Sequence, residues 1–176
     1  MFTKIKTKIK EYFALRKIER EKKRVRKALW DANYELINTL VEMTPFLQQW
    51  HEYKKEAWFQ DNIEILKNHG VTCPLADVRS TILLNLLLWD TTCVEQFSER
   101  YNNLNKTFSQ LVVNLYDVGL SYIASCLLVE EEDIEDFIDL IYEFDKLNSA
   151  FAELMLRAKE LNIPTSTTNL EEEEKE

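Results

Sequence analysis

The chain has 176 residues, 45% of them hydrophobic and 30% charged, with a net charge of −9 and only two glycines and three prolines. That balance describes a folded chain with one sizeable core, and the shortage of glycine disfavours tight-turned sheets and phosphate-cradling loops. What remains is an all-α protein, read as an elongated helical bundle with coiled-coil-like packing.

The charge is split along the chain. Residues 1–30 hold twelve Lys or Arg against three acids, whereas the other 146 residues hold ten basic and 28 acidic side chains. Such asymmetry bears on partners rather than on fold. It suggests three units: a basic amphipathic helical arm over residues 1–30, a helical bundle domain over 31–163, and a disordered acidic tail over 164–176.

The first thirteen residues make a short amphipathic helix, with Phe2, Ile5, Ile9, Tyr12 and Phe13 inside an arc of roughly 120°. Beyond Phe13 the apolar face moves to Leu15, Ile18, Val25 and Leu29, so a tip and a shaft are expected. The shaft carries eight basic residues, Arg16, Lys17, Arg20, Lys22, Lys23, Arg24, Arg26 and Lys27, the residue types that neutralise phosphates with a strong salt dependence. Trp30 and Tyr34 read as core aromatics where the bundle begins, alongside Leu36, Ile37, Leu40, Val41 and Met43. Thr44-Pro45 reads as a boundary, with Thr as N-cap and Pro at the first helical position. Helices are therefore expected over 15–43 and 45–68, the second ending at Asn68-His69-Gly70.

Between Pro74 and Val129 one apolar stripe (Val94, Phe97, Tyr101, Leu104, Phe108, Leu111, Leu115, Val118, Tyr122) recurs at helical spacing. Upstream, Ile82 to Trp89 is apolar enough to be wrapped on every side. Asn102-Asn103-Leu104-Asn105 has poor helix propensity, which predicts helices over 75–101 and 105–129 with Asn105 as a cap. Glu130 to Asp133 place acids at the positive end of a last helix, expected over 132–162 and stopped by Pro164. Its heptad of Phe137, Leu140, Phe144, Leu147, Phe151 and Leu154 suits packing into a bundle and makes a homodimer plausible.

Motifs for chemistry are scarce. The sequence contains no glycine-rich phosphate loop, nucleophile elbow or HExxH helix, and neither His51 nor His69 follows a glutamate at the spacing of a helical di-iron site. His69 and Cys73 are spaced like two ligands, but a zinc site needs more of them. No catalytic residue, metal, cofactor or small-molecule substrate is expected. Cys73, Cys93 and Cys126 form no disulfide framework and no signal peptide is visible, which predicts a reducing, cytoplasmic setting. Leu111 to Val129 approaches the length of a membrane span, yet Asn114 and Asp117 make it a buried core helix instead. The functional expectation is a non-enzymatic interaction or scaffold protein whose basic arm engages an anionic partner, nucleic acid first. One alternative is a peripheral membrane adaptor anchored by Phe2, Ile5, Ile9 and Phe13. Another is an acidic inhibitor or decoy that binds a basic nucleic-acid-binding protein.

Overall fold

A computed structural model describes residues 2–53, 55, 74–87 and 94–163. These residues form five helices and no strand: α1 (Phe2–Tyr53), α2 (Leu75–Leu87), α3 (Val94–Val118), α4 (Leu120–Leu127) and α5 (Glu131–Glu160). The all-α class is as the composition demanded. The helix boundaries differ from the sequence reading in several places, each with a local cause.

The boundary expected at Thr44-Pro45 is absent, because α1 runs through Pro45 as one helix of 52 residues, ~78 Å long at about 1.5 Å per residue. A proline removes one N–H and frees the carbonyl four residues earlier. Here that carbonyl belongs to Val41, and both Val41 and Pro45 face outward, where water can satisfy it. On the inner side Leu40, Met43, Phe46, Leu47 and Trp50 are buried, and their packing holds the helix continuous through a poor local sequence. Residues 56–68 of the helix expected over 45–68, with its Asn68-His69-Gly70 end, lie outside the described residues.

The turn expected at 102–105 is also absent. α3 continues through it, and the asparagines that weaken the helix locally bond across to α5. Asn105 Nδ2 donates to Asp145 Oδ1 at 2.7 Å and Asn148 Nδ2 to Asn102 Oδ1 at 3.0 Å. The chain turns instead at Gly119, whose φ of 100° lies where L side chains are rarely found. Leu111 to Val129 is therefore two helices, and no helix among the described residues is long and apolar enough to cross a membrane. Of the central stripe, Phe97 to Leu115 is buried, while Val118 and Tyr122 are exposed. Leu83, Leu86 and Leu87 of α2 are exposed as well, contrary to the expectation that this apolar run is wrapped on all sides.

At the start of α5, the Glu130 N–H donates to the Asp133 carboxylate at 3.0 Å, satisfying one of the helix's orphan donors. Ser121 Oγ donates to Glu131 at 2.7 Å and ties α4 to that end. α5 stops before Pro164. Asn162 is left-handed (φ 50°), the Ile163 N–H reaches Ala158 O at 3.0 Å and the Asn162 N–H reaches Lys159 O at 3.1 Å, the paired bonds of a Schellman ending. Ile163 and Ala158 are both buried beneath it.

Side-chain pairs fix how the helices run. Phe46 stacks on Phe137 with ring centroids 3.9 Å apart, and Glu21 lies 3.7 Å from Arg157, so α1 and α5 are antiparallel. Tyr101 meets Phe151 and Phe144 edge-on, and Phe108 meets Phe144 at 5.5 Å, so α3 and α5 are antiparallel too. α1 packs mainly on α5 and then on α2, and α2 also packs on α3. The result is a four-cornered bundle closed at one end by α4. Phe137, Phe144 and Phe151 are buried and Leu140, Leu147 and Leu154 pack against the same core. The heptad of α5 is thus occupied by α1 and α3 of its own chain.

One polar cluster sits inside. Tyr101 Oη donates to Asn33 Oδ1 at 2.5 Å, and Asn85 Nδ2 donates to Thr81 O at 2.8 Å. Burial pushes the Tyr101 hydroxyl above its ordinary value, against a smaller opposing effect of a hydrogen bond from Asn85. The folded chain keeps this proton where the unfolded chain, ionising near pH 10, releases it. The stabilisation is therefore whole below about pH 10 and is lost as pH rises beyond it, by about 1.4 kcal/mol per unit. Urea titrations between pH 8 and pH 11 should show that slope reduced in Tyr101→Phe. The variant should start about 1 kcal/mol less stable at neutral pH for want of the Asn33 bond.

A second expectation concerns Leu128, which takes φ 56° with 93% of its surface exposed. A left-handed non-glycine residue costs on the order of 1 kcal/mol, and little packing would be lost on truncation. Leu128→Gly should raise stability by up to about 1 kcal/mol in urea denaturation, and a decrease would show that the Leu128 side chain makes a stabilising contact.

Candidate anionic-partner surface

The bundle claims α1 only in part. Among the described side chains Val25 is the first that is buried, and Glu21 and Lys22 are half-buried, Glu21 beside the C-terminal end of α5. Every described side chain from Ile9 to Arg20 is exposed. The contact with the bundle thus begins before residue 30, where the sequence suggested a division, and α1 crosses that position unbroken. Beyond Glu21 the helix extends another ~30 Å at about 1.5 Å per residue.

Successive residues of a helix turn by about 100°, so the buried positions orient the others. Val25 and Leu29 face the bundle. Arg16, Lys17, Arg20, Lys23, Arg24 and Lys27 are all exposed and fall within an arc of about 120° centred on the opposite side. Arg26 lies on the flank, and the half-buried Lys22 turns toward the bundle side next to Leu29, its Nζ 3.8 Å from Glu19. The structure thus brings six of the eight basic residues onto one outward face and leaves Lys22 and Arg26 off it.

Ile9 and Phe13 fall on that same arc, with Tyr12 at its edge, and all three are exposed, Phe13 by 65%. Phe2 and Ile5 belong to α1, and their side chains lie outside the described set. The Arg16 guanidinium sits 5.2 Å over the Tyr12 ring and Tyr12 meets Phe13 edge-on, so tip and shaft are joined by a cation–π contact. The change of apolar face after Phe13 does not separate two pieces. Leu15 and Ile18, which sequence spacing grouped with Val25 and Leu29, lie before the bundle begins and are exposed.

Trp30 and Tyr34 correct the sequence reading. They are 37% and 49% exposed rather than core aromatics, and they continue the outward arc past Lys27. Their angular distance from Val25 and Leu29 was the available signal, hidden by the general rise in hydrophobicity after residue 29.

Elsewhere, a groove of about 540 Å³ between α2 and α3 is lined by Asp77, Thr81, Glu99 and Arg100. A shallower one of about 810 Å³, near the α4 end, is lined by Pro45, Tyr53, Tyr122, Cys126 and Leu128. Among the described residues no three His, Cys, Asp or Glu side chains cluster as a metal site requires. His69, Cys73 and Cys93 lie outside the described residues, and Cys126 is a free, half-buried thiol. No protein-family model, curated protein or solved structure matches the chain.

A helical segment without tertiary cover is held only by local bonds, and isolated helices of this length are marginal. Amide hydrogen exchange should therefore be orders of magnitude faster over residues 9–20 than over 36–50. Equal protection would mean that something covers the first part of α1 in solution.

Proposed function

We propose that the chain is a non-enzymatic interaction protein whose N-terminal helix acts as a basic arm that engages an anionic partner. The observation that carries this reading is the arc of six exposed Lys and Arg turned away from the bundle. Like charges gathered on one face repel one another, by an amount that an apposed anion converts into attraction. They sit on a helix whose opposite face is anchored by Val25 and Leu29, so the arc is presented at a fixed angle to the bundle. Nucleic acid is one partner that such an arc fits, through phosphate contacts and release of counterions. An anionic membrane surface is the other.

Charge reversal tests the reading without disturbing the anchor. Arg16, Arg20, Lys23 and Lys27 make no contact with the core, so replacing all four with Glu should leave thermal unfolding within a few degrees of the parent. Binding to anionic vesicles and to labelled duplex and single-stranded oligonucleotides would be measured for both proteins at several salt concentrations. The parent should bind at least one of these ligands with affinity falling as salt rises, and the variant should lose at least tenfold. Equal binding by the two proteins would remove the basic arc from the function.

A further inference from the structure

Resting on the reading of α1 as an anion-engaging arm, we infer that the partner is an anionic lipid surface, on which α1 lies along its outward arc with Ile9 and Phe13 inserted. Phosphates account for the basic residues of the arc but gain nothing from an exposed isoleucine and phenylalanine on the same side. A bilayer interface accounts for both, since the apolar side chains enter the acyl boundary while Lys and Arg meet the headgroups. Stable attachment to a membrane takes two such signals, and here they follow one another along one face of an unbroken helix.

Two further observations agree. Among the described residues, the buried positions of the first turns that meet the bundle, Val25 and Leu29, lie on the side of α1 opposite the arc, so these residues leave the arc side clear for a plane. The first turn of α1 holds no acid, while the sequence places Lys4, Lys6, Lys8 and Lys10 in the first turns. Cations at the positive end of a helix dipole are unfavourable, and an anionic surface relieves that repulsion. Attachment is peripheral, because no helix among the described residues is long and apolar enough to cross.

The test uses the full chain, sedimented with phosphatidylcholine vesicles with and without phosphatidylserine, in parallel with binding to duplex and single-stranded oligonucleotides. The key variant is Ile9→Asp with Phe13→Asp, whose positions touch no core residue, and its melting curve should match the parent's. The parent should bind only the vesicles containing phosphatidylserine. The double variant should bind them at least about tenfold more weakly, whereas Phe13→Trp should bind as well as the parent. Vesicle binding indifferent to the tip substitutions would overturn the inference, as would binding to oligonucleotides without binding to vesicles. In either case the anionic-partner reading would stand. Binding to none of these ligands at low salt would overturn both.

Discussion

The antiparallel seam between α1 and α5 is the constraint on which the rest of the molecule depends. At one end Phe46 lies flat on Phe137 at 3.9 Å, and at the other Glu21 faces Arg157 at 3.7 Å. Between these points Val25, Leu36, Leu40 and Met43 of α1 and Ile138, Ile141, Phe144 and Phe151 of α5 are buried. Their burial, rather than the half-exposed ion pair, holds the seam, since exposed pairs contribute under about 1 kcal/mol whereas each buried aromatic truncated to alanine costs about 3–5 kcal/mol. α5 ends at Glu160 while α1 extends past Glu21 toward its N-terminus. The seam therefore decides which part of α1 is core and which part faces solvent.

An apolar seam fixes distance better than register, because neighbouring helical turns offer similar hydrophobic surfaces. The polar bonds between helices supply what the apolar contacts leave degenerate. Asn102 with Asn148 and Asn105 with Asp145 set α3 against α5, and Tyr101 with Asn33 sets α3 against α1. A slip of one turn would leave the buried Tyr101 hydroxyl and Asn148 amide without these partners, at about 1–3 kcal/mol each, whereas the exposed Asn105–Asp145 bond could be replaced by water. The same asparagines are poor helix formers, so this part of α3 trades local propensity for a unique alignment.

That trade explains which features were legible in the sequence. The periodic faces of α3 and α5 were readable because burial imposes them directly, as was the acidic start of α5. Asn102 to Asn105 misled, since a local rule cannot see Asp145 or Asn148 across the bundle. Pro45 misled for a similar reason: buried neighbours on the inner face outweigh a lost hydrogen bond on the outer one. Gly119 went unremarked because the apolar stripe keeps its phase across it, and the backbone turn needs a φ that spacing does not reveal. Leu128 offered no signal, as leucine is rarely left-handed. In the candidate surface the basic residues were evident from composition. Their confinement to one arc, and the outward turn of Trp30 and Tyr34, became visible only once Val25 and Leu29 established which way was in.

The absence of a hinge between the exposed and buried parts of α1 has a geometric consequence. A domain tethered by a coil of similar length would turn freely about its attachment. Because one helix supplies both the exposed arc and a corner of the bundle, the turns just before Val25 keep a set direction relative to the core. α3 occupies the corner diagonal to α1, meeting it through Tyr101 and Asn33, and so lies on the side of the bundle away from the arc. On the proposal that α1 lies along an anionic surface, the groove carrying Asp77, Glu99 and Arg100 beside α3 would face away from that surface.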